Sequence, residues 1–181
     1  MADLISKIKG VDNVTYDLQD KISIFGGTNY YKNSTSIGNL SNTSTYTKDT
    51  SIKGFTLKAT AASASCRLSN VITQKGWWIF TGQVKTSTGA GNLTTDFCDV
   101  SATGSITLST NYQNFSFICN EISRNIDSTY NFIDLNFSGL TANAIISFKD
   151  VKIEIGTKPT EWTPAPQDLV TYSSETLEFF Q

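Results

Sequence analysis

Residues 148–166 read FKDVKIEIGTKPTEWTPAP, and this stretch decides the fold class. Alternate side chains of a β-strand point to opposite faces of the sheet. The apolar positions change parity between Phe148 and Val151, so an unbroken strand would point its two apolar sets in opposite directions. A β-bulge near Lys149 and Asp150 adds one residue and lets both sets reach the same core. The two sets are Ile146 and Phe148, followed by Val151, Ile153 and Ile155.

The end of this stretch predicts a rigid departure from a last core strand. Gly156 follows the apolar run, and Pro159, Pro164 and Pro166 come soon after it. Proline fixes its own φ and lacks a backbone donor, so these residues exclude a helix and favour extended backbone. Trp162 lies in the middle of the segment and is predicted to be its structural anchor.

The rest of the chain consists of short alternating segments separated by turn signals. Proline is absent between residues 2 and 158, and no segment has a helical period. This pattern is typical of an antiparallel β-sandwich and argues against a βαβ fold. The sequence therefore predicts an all-β, antiparallel β-sandwich of the jelly-roll type. Its clearest strand segments are residues 55–60, 65–72, 77–85, 93–100, 105–109, 111–122 and 130–139.

The first 20 residues predict a β-hairpin arm ahead of the sandwich. Asp12 and Asn13 form a turn pair that tolerates positive φ. Because a lone two-stranded hairpin is marginal in water, its apolar face is expected to pack on something else. One interpretation is another protein or a second copy of the chain, and the alternative is an ordinary edge hairpin of the same domain. The predicted partner-binding side chains are Val14, Tyr16 and Leu18.

Composition excludes several classes of function. The net charge is −2, which argues against nucleic-acid binding through the phosphates. The chain has no histidine, which excludes Ser-His-Asp and Cys-His catalysis and every imidazole metal site. Cys66, Cys98 and Cys119 lack metal-type spacing and are predicted to be small buried hydrophobes; one disulfide plus a free thiol is the alternative.

The N-terminal sequence predicts neither secretion nor membrane insertion. Asp3 and Lys7 interrupt the opening residues, and no apolar signal region follows them. No stretch approaches the roughly 18 apolar residues of a membrane span. We therefore expect a protein made in the cytoplasm without a signal peptide.

The two ends of the chain carry a resemblance to a known family. The pattern D-V-K-I-E-x-G-x-x-x-T-E-W-T-P-A-P, from residue 150, is similar to the end of carbohydrate-binding-module-like (CBM4/9-like) jelly rolls in bacteriophage tail and baseplate proteins. The opening MADLISKIKGVDNVTYDLQDK resembles the attachment segment of such virion proteins. The join GGTNYYKNS, residues 26–34, resembles the G-T-N-L-L-x-N-S start of the module.

This resemblance implies a domain organisation and a function. Residues 1–27 would be an attachment arm with a Gly-Gly joint, residues 28–160 the jelly roll, and residues 161–181 a Pro-rich exit and tail. The protein would be a virion component of the tail, baseplate or fibre, made in a bacterial host. It would bind other virion proteins through the arm, form a homo-oligomer, and adhere to host-surface polysaccharide. The alternative is a non-catalytic decoration protein of the capsid or tail that binds virion proteins rather than sugar.

A sugar-binding face would need an aromatic ring and hydrogen-bonding side chains. The ring offers an apolar surface to the sugar, while amides, carboxylates and guanidinium groups meet its hydroxyls. Non-core positions of the clearest strands supply such side chains; an ordinary solvated sheet face, with Trp77 under a loop, is the alternative. The candidates are Arg67, Trp77, Gln83, Tyr112, Phe132, Asp134 and Asn136.

The sequence offers one candidate metal ligand and no paired carboxylates for catalysis. Asp150 matches an acidic residue that helps to hold a structural calcium ion in similar modules, although its usual acidic partner near the N-x-S start is missing here. The alternative is that Asp150 caps the bulge, and no other cofactor is predicted.

A glycosidase needs two carboxylates about 5–10 Å apart, and Asp96, Asp99, Glu121 and Asp134 stand in no motif that pairs them. The sequence therefore predicts a protein that is not an enzyme.

Overall fold

The computed structural model describes residues 7–9, 15–17, 27–31, 37–49, 53–163 and 165, and within these ranges the chain is all-β. Two antiparallel sheets form a sandwich, which confirms the predicted fold class. The six-stranded sheet runs in the order β10 (Ile106–Thr107), β8 (Asn92–Phe97), β12 (Ile133–Ser138), β6 (Ala64–Leu68) and β3 (Ile37–Ser41), with β9 (Val100–Ser101) beside β8. The five-stranded sheet runs in the order β11 (Gln113–Ile122), β7 (Gly76–Thr86), β13 (Ile145–Ile155), β5 (Gly54–Ala59) and β4 (Thr43–Asp49). None of the described residues belongs to a helix that could cross a membrane.

The predicted hairpin is present as a short antiparallel pair. Strands β1 (Lys7–Lys9) and β2 (Thr15–Asp17) pair with Ile8 opposite Tyr16. Val14 and Leu18 lie outside the described residues, as do the tail residues from 166 onward. Partner binding by the arm therefore stays a prediction.

The core lies between the two sheets and follows the alternation in the sequence. Buried apolar residues recur at every second position of β5, β6 and β12, and of β11 as far as Cys119, after which the register of β11 shifts. Phe148 of the five-stranded sheet stacks on Phe55, with ring centroids 4.6 Å apart, and meets Phe137 of the six-stranded sheet edge to face at 6.3 Å. These ring contacts add to the hydrophobic burial that joins the two sheets.

The predicted bulge in β13 is confirmed. Lys149 pairs with Gln83 and Lys152 with Thr81, so β13 advances by three residues where β7 advances by two. Asp150 lies in the bulge, where no β7 partner is assigned, and its φ of 49° is in the left-handed region. The extra residue returns Val151 to the core side, where it is buried.

Gly54 lets β5 approach this bulge closely. A Cβ atom at Gly54 would collide with the Phe148 carbonyl oxygen, so no side chain fits there. Val151 donates its backbone N–H to the carbonyl of Lys53, which directly precedes β5, at 3.2 Å, so the pairing of β5 with β13 stops here. The last part of β13 is thereby left open on that edge for another segment.

Residues 27–31 lie along the edge of β13 that β5 leaves unpaired. Tyr30 donates its backbone N–H to the Ile153 carbonyl at 2.7 Å. The buried Asn29 side chain donates to the carbonyls of Val151 and Thr163, at 3.1 and 2.9 Å, and its Oδ1 accepts from the backbone of Ile153 at 3.0 Å. The segment that leads into the sandwich and the segment that leaves it are therefore joined at one side chain.

A buried ion pair holds the exit segment on the outward side of β13. Lys152 and Glu154 have side chains that are each 1% exposed, with Lys152 Nζ 3.2 Å from Glu154 Oε2. Both contact Thr160: its backbone N–H and its hydroxyl donate to the Glu154 carboxylate at 2.8 and 2.5 Å, and Lys152 Nζ lies 2.5 Å from the hydroxyl. Lys152 also donates to the Glu161 carbonyl at 2.6 Å. We call this set the clamp.

The three cysteines are free and buried, as the sequence predicts. Burial raises the pKa of the Cys66 thiol to about 12, with a further rise from the nearby Asp134 carboxylate. Burial likewise raises the pKa of the Cys119 thiol to about 11. At neutral pH these side chains are protonated and act as small apolar groups.

Candidate functional site

The candidate sugar residues do not share one face, because their strands belong to different sheets. Gln83 and Trp77 lie on β7 of the five-stranded sheet, and Tyr112 directly precedes β11 of the same sheet. The other four lie on or beside the six-stranded sheet, at the opposite side of the sandwich; they are Arg67, Phe132, Asp134 and Asn136.

Phe132 was expected to face solvent, and this expectation is wrong. The residue is only 3% exposed. It directly precedes β12, and the guanidinium carbon of Arg67 lies 3.4 Å from the centre of its ring. The long Arg67 side chain covers the ring, so Phe132 offers little surface on which a sugar could stack.

The polar side chains on the six-stranded face are satisfied by one another. Arg67 donates two hydrogen bonds to the Asp134 carboxylate, at 2.7 and 2.6 Å, and this pairing raises the pKa of the guanidinium. Asn136 donates to Asp96 at 2.7 Å, and Ser101 donates to the same carboxylate at 2.6 Å. A ligand here would have to displace bonds that are already formed.

A polar groove of about 380 Å³ opens beside Arg67 at the end of that sheet. Asn131 donates to the Asn70 side chain at 3.0 Å, so these two amides are also paired. The aromatic ring that reaches the groove is Phe132, which Arg67 covers. The Asn39 amide also lines this groove, but the groove lacks an accessible aromatic ring on which a sugar could stack.

The five-stranded face carries a groove of about 410 Å³ with a different chemistry, which we call the outer groove. Its floor is formed by side chains of β7 and β11, and its wall by the β13 bulge and the exit segment. The polar and aromatic members are Thr81, Gln83, Asn114, Phe115, Ser116, Asp150 and Trp162, with Gly82 and Pro159 beside them.

The amides of the outer groove are available to a ligand. Neither the Gln83 nor the Asn114 side chain makes a hydrogen bond within the part of the chain that the structure describes. The two residues are paired across β7 and β11, so they are neighbours on one face. This contrasts with Asn136 on the opposite sheet, which is bound to Asp96.

Trp162 reaches the outer groove from the exit segment. Its Nε1 donates to the Val151 carbonyl at 3.2 Å, and the Lys53 ammonium lies 3.8 Å from the centre of the indole ring. The clamp holds the backbone just before it. Trp162 therefore contacts β13 and also contributes an aromatic surface to the groove wall, a second role that its position in the sequence did not suggest.

Tyr112 lies on the same face as Gln83, whereas Trp77 lies toward the far end of β7. Six residues separate Trp77 from Gln83, which is about 20 Å along a strand. Trp77 is 39% exposed and does not line the outer groove. Tyr112 interacts with the Ser147 hydroxyl, and burial raises the pKa of its phenol.

Asn114 and Ser116 were not among the candidates predicted from the sequence. They alternate with the buried Phe115 and Phe117 on β11, so the signal that could have found them was the same period of two that predicted the strand. What the sequence lacked was the position of β11 beside β7.

The calcium role of Asp150 stays a prediction. Its carboxylate lies 3.7 Å from the Lys149 ammonium. Within the described ranges no three His, Cys, Asp or Glu side chains come close enough to share a metal ion, so the protein offers Asp150 no cluster of carboxylates. The positive φ of Asp150 accounts for its place in the bulge without a metal.

Solved structures with a similar fold include carbohydrate-binding modules. The CBM1 module of BiXyn10A is 18% identical, with a TM-score of 0.48, and the match covers 71% of this chain and 99% of that one. The C-terminal CBM6 of LamC, a laminarinase from Zobellia galactanivorans, is 12% identical, with a TM-score of 0.44 over 66% and 93% of the two chains. A CBM6 module of Cellvibrio mixtus lichenase 5A, solved with cellotriose, is 14% identical, with a TM-score of 0.42 over 66% and 92%. No family model and no curated protein matches the sequence.

Proposed function

We propose that this protein binds a saccharide in the outer groove and does not hydrolyse it. The observation that carries the proposal is the convergence of an indole, two available amides and a carboxylate in one open groove: Trp162, Gln83, Asn114 and Asp150. An aromatic ring packs on the C–H face of a sugar, and amide and carboxylate groups exchange hydrogen bonds with its hydroxyls. Of the described residues that line the groove, Asp150 alone is acidic, so a second carboxylate for glycoside hydrolysis is missing there.

The biological setting that we propose is a bacteriophage virion. Support comes from the sequence resemblance of both chain ends to tail and baseplate proteins. In this setting the hairpin arm would attach the protein to other virion proteins, and the sandwich would adhere to host-surface polysaccharide. Several copies on one particle would raise the apparent affinity by a factor on the order of 10²–10⁴, because single sugar contacts are weak.

The test is binding of the labelled, purified protein to bacterial cells and to their extracted wall polysaccharides. We expect saturable binding that free saccharide competes away. The double variant Gln83→Ala, Asn114→Ala should weaken it about tenfold or more, because each lost hydrogen bond is worth about 0.5–1.5 kcal/mol. The matched control is Asn136→Ala, which removes an amide from the opposite sheet and should leave binding unchanged.

Two results would contradict the proposal. Unchanged binding in the double variant, with loss in Asn136→Ala, would move the site to the six-stranded face. No binding at any practical concentration, even after artificial multimerisation of the protein, would favour the alternative of a structural decoration protein. The subsequent experiment would then ask whether deleting residues 1–25 prevents incorporation into particles.

A further inference from the structure

Lysine side chains continue the outward face beyond the outer groove. Lys149 pairs with Gln83 across β13 and β7, and Lys85 pairs with Ser147 one step further along. Paired residues of antiparallel strands point to the same side, so both lysines share the outward face with the groove amides. Lys58 of β5, which pairs with Ile145, extends the same face toward β4.

The two nearest lysines converge on one aromatic ring. The Lys85 and Lys149 ammonium groups lie 4.5 and 5.8 Å from the centre of the Tyr112 ring. The positive charge of Lys149 is compensated by the Asp150 carboxylate, with Lys149 Nζ 3.7 Å from Asp150 Oδ2. Lys85 and Lys58 form no ion pair within 4.0 Å among the described residues, and the Asp49 and Asp150 carboxylates act electrostatically on the same Tyr112 side chain.

The opposite face has the reverse charge. On the outward side of the six-stranded sheet, Asp96 and Asp134 stand opposite each other on β8 and β12, and Arg67 is bound to one of them. The whole chain carries a net charge of −2. Beside the outer groove, three lysines (Lys58, Lys85 and Lys149) stand against the two carboxylates of Asp49 and Asp150, so this part of the surface has a positive balance although the whole chain is negative.

We propose that the saccharide bound in the outer groove is acidic, with carboxylate, phosphate or sulfate groups that meet Lys85 and Lys149. This inference rests on the proposed function. The groove amides and Trp162 would hold the sugar rings, and the anionic groups would lie over the neighbouring strand positions, near Tyr112. Lys149 keeps Asp150 from repelling them, and Lys85 supplies a charge that forms no ion pair among the described residues.

The test compares acidic polymers with their neutral counterparts on the intact protein. The pairs are dextran sulfate with dextran, and polygalacturonate with its fully methyl-esterified form. We expect the acidic member of at least one pair to bind about tenfold more tightly than its neutral member. The difference should shrink between about 50 and 300 mM salt, because exposed charges are screened over that range.

Lysine variants assign the effect to this face. Lys85→Gln keeps the length and polarity of the side chain and should weaken acidic binding about threefold, with a smaller salt dependence. Lys149→Gln should act in the same direction and more strongly, since it also exposes the anion to Asp150. The matched control, Lys75→Gln, changes an exposed lysine that precedes β7 at its other end and should have no effect.

The outcomes separate this inference from the proposed function. Equal binding of acidic and neutral polymers, lost in the Gln83→Ala, Asn114→Ala variant, would overturn the acidic class and leave the saccharide site standing. Binding of double-stranded DNA or polyphosphate as tight as that of the acidic saccharide would show a general polyanion surface and would also overturn it. Failure of every saccharide to bind would overturn both.

Discussion

Asn29 shows how a single side chain fixes two distant parts of the chain. Its amide uses both of its functions: the nitrogen donates to the Val151 and Thr163 carbonyls, and the oxygen accepts from the Tyr31 and Ile153 backbones at 2.9 and 3.0 Å. The residue is 2% exposed, so water cannot replace these partners. A buried polar group left without a partner costs about 1–3 kcal/mol. The Asn29 side chain provides a partner for four backbone groups, two carbonyls and two N–H groups.

Asn29→Asp should destabilise the protein at pH 7 by about 3 kcal/mol and less at low pH. The carboxylate cannot donate to the two carbonyls, and desolvation raises its folded-state pKa above the unfolded value of about 3.9. A group with a raised folded pKa contributes its stability below the unfolded pKa and loses it as pH rises through the folded pKa. The deficit relative to the wild type should therefore shrink as pH falls from 7 toward about 4.

Urea denaturation at pH 7 and pH 4 measures this deficit. Asn39→Asp, at an exposed position of β3, is the control and should track the wild type at both values. An Asn29→Asp deficit that stays constant with pH would mean that the carboxyl group is not held against the carbonyls, and that the described hydrogen bonds are not its cause.

At the scale of the strand, the sequence predicted β13 correctly because the parity change is a local signal. It did not predict that Ile79, Lys152 and Glu154 would be buried on the outward side. Alternation distinguishes the two faces of a strand but does not show that residues 27–31 and the exit segment cover one of them. A buried ion pair is weak evidence for stability, so the clamp is better explained as a device that sets the path of the exit segment.

Deletion of Asp150 should prevent folding, whereas Asp150→Gly should not. Without the extra residue, Val151 and Ile153 would turn outward, and Lys152 and Glu154 would turn into the core. Glycine keeps the number of residues in the bulge and adopts the φ of 49° without strain. The free energy of unfolding of Asp150→Gly should therefore equal or exceed that of the wild type. Thermal unfolding followed by circular dichroism tests the pair: a cooperative transition in the deletion variant would contradict the assigned register.

At the scale of the whole molecule, the sequence predicted the sandwich and its core but not the distribution of residues between the sheets. Each strand was recognisable alone, because burial at every second position needs no knowledge of neighbours. Strand order is a non-local property: β12 lies between β6 and β8, and β7 lies between β11 and β13. That order places Gln83 and Asp134 on opposite sides of the protein, and it brings Asn114 beside Gln83. The candidate site could therefore be predicted by residue type but not as one surface.

The cysteines allow a test of whether the two sheets unfold as one unit. Cys66 lies on β6 of the six-stranded sheet, Cys119 on β11 of the five-stranded sheet, and Cys98 directly after β8. All three are buried, and burial raises each thiol pKa, so the native protein should react with none of them at pH 8. In urea we expect all three to be labelled over the same concentration range, because the shared core must open before any thiol meets the reagent.

Mass spectrometry of the labelled peptides reports each cysteine separately. The variant Thr94→Cys, at an exposed position of β8, provides an accessible thiol that should react at once in the native state. Labelling of Cys119 at lower urea than Cys66 would show that the five-stranded sheet opens alone. In that case the outer groove, which β7 and β11 of that sheet form, would be less stable than the sandwich, and ligand binding should delay the labelling of Cys119 more than that of Cys66.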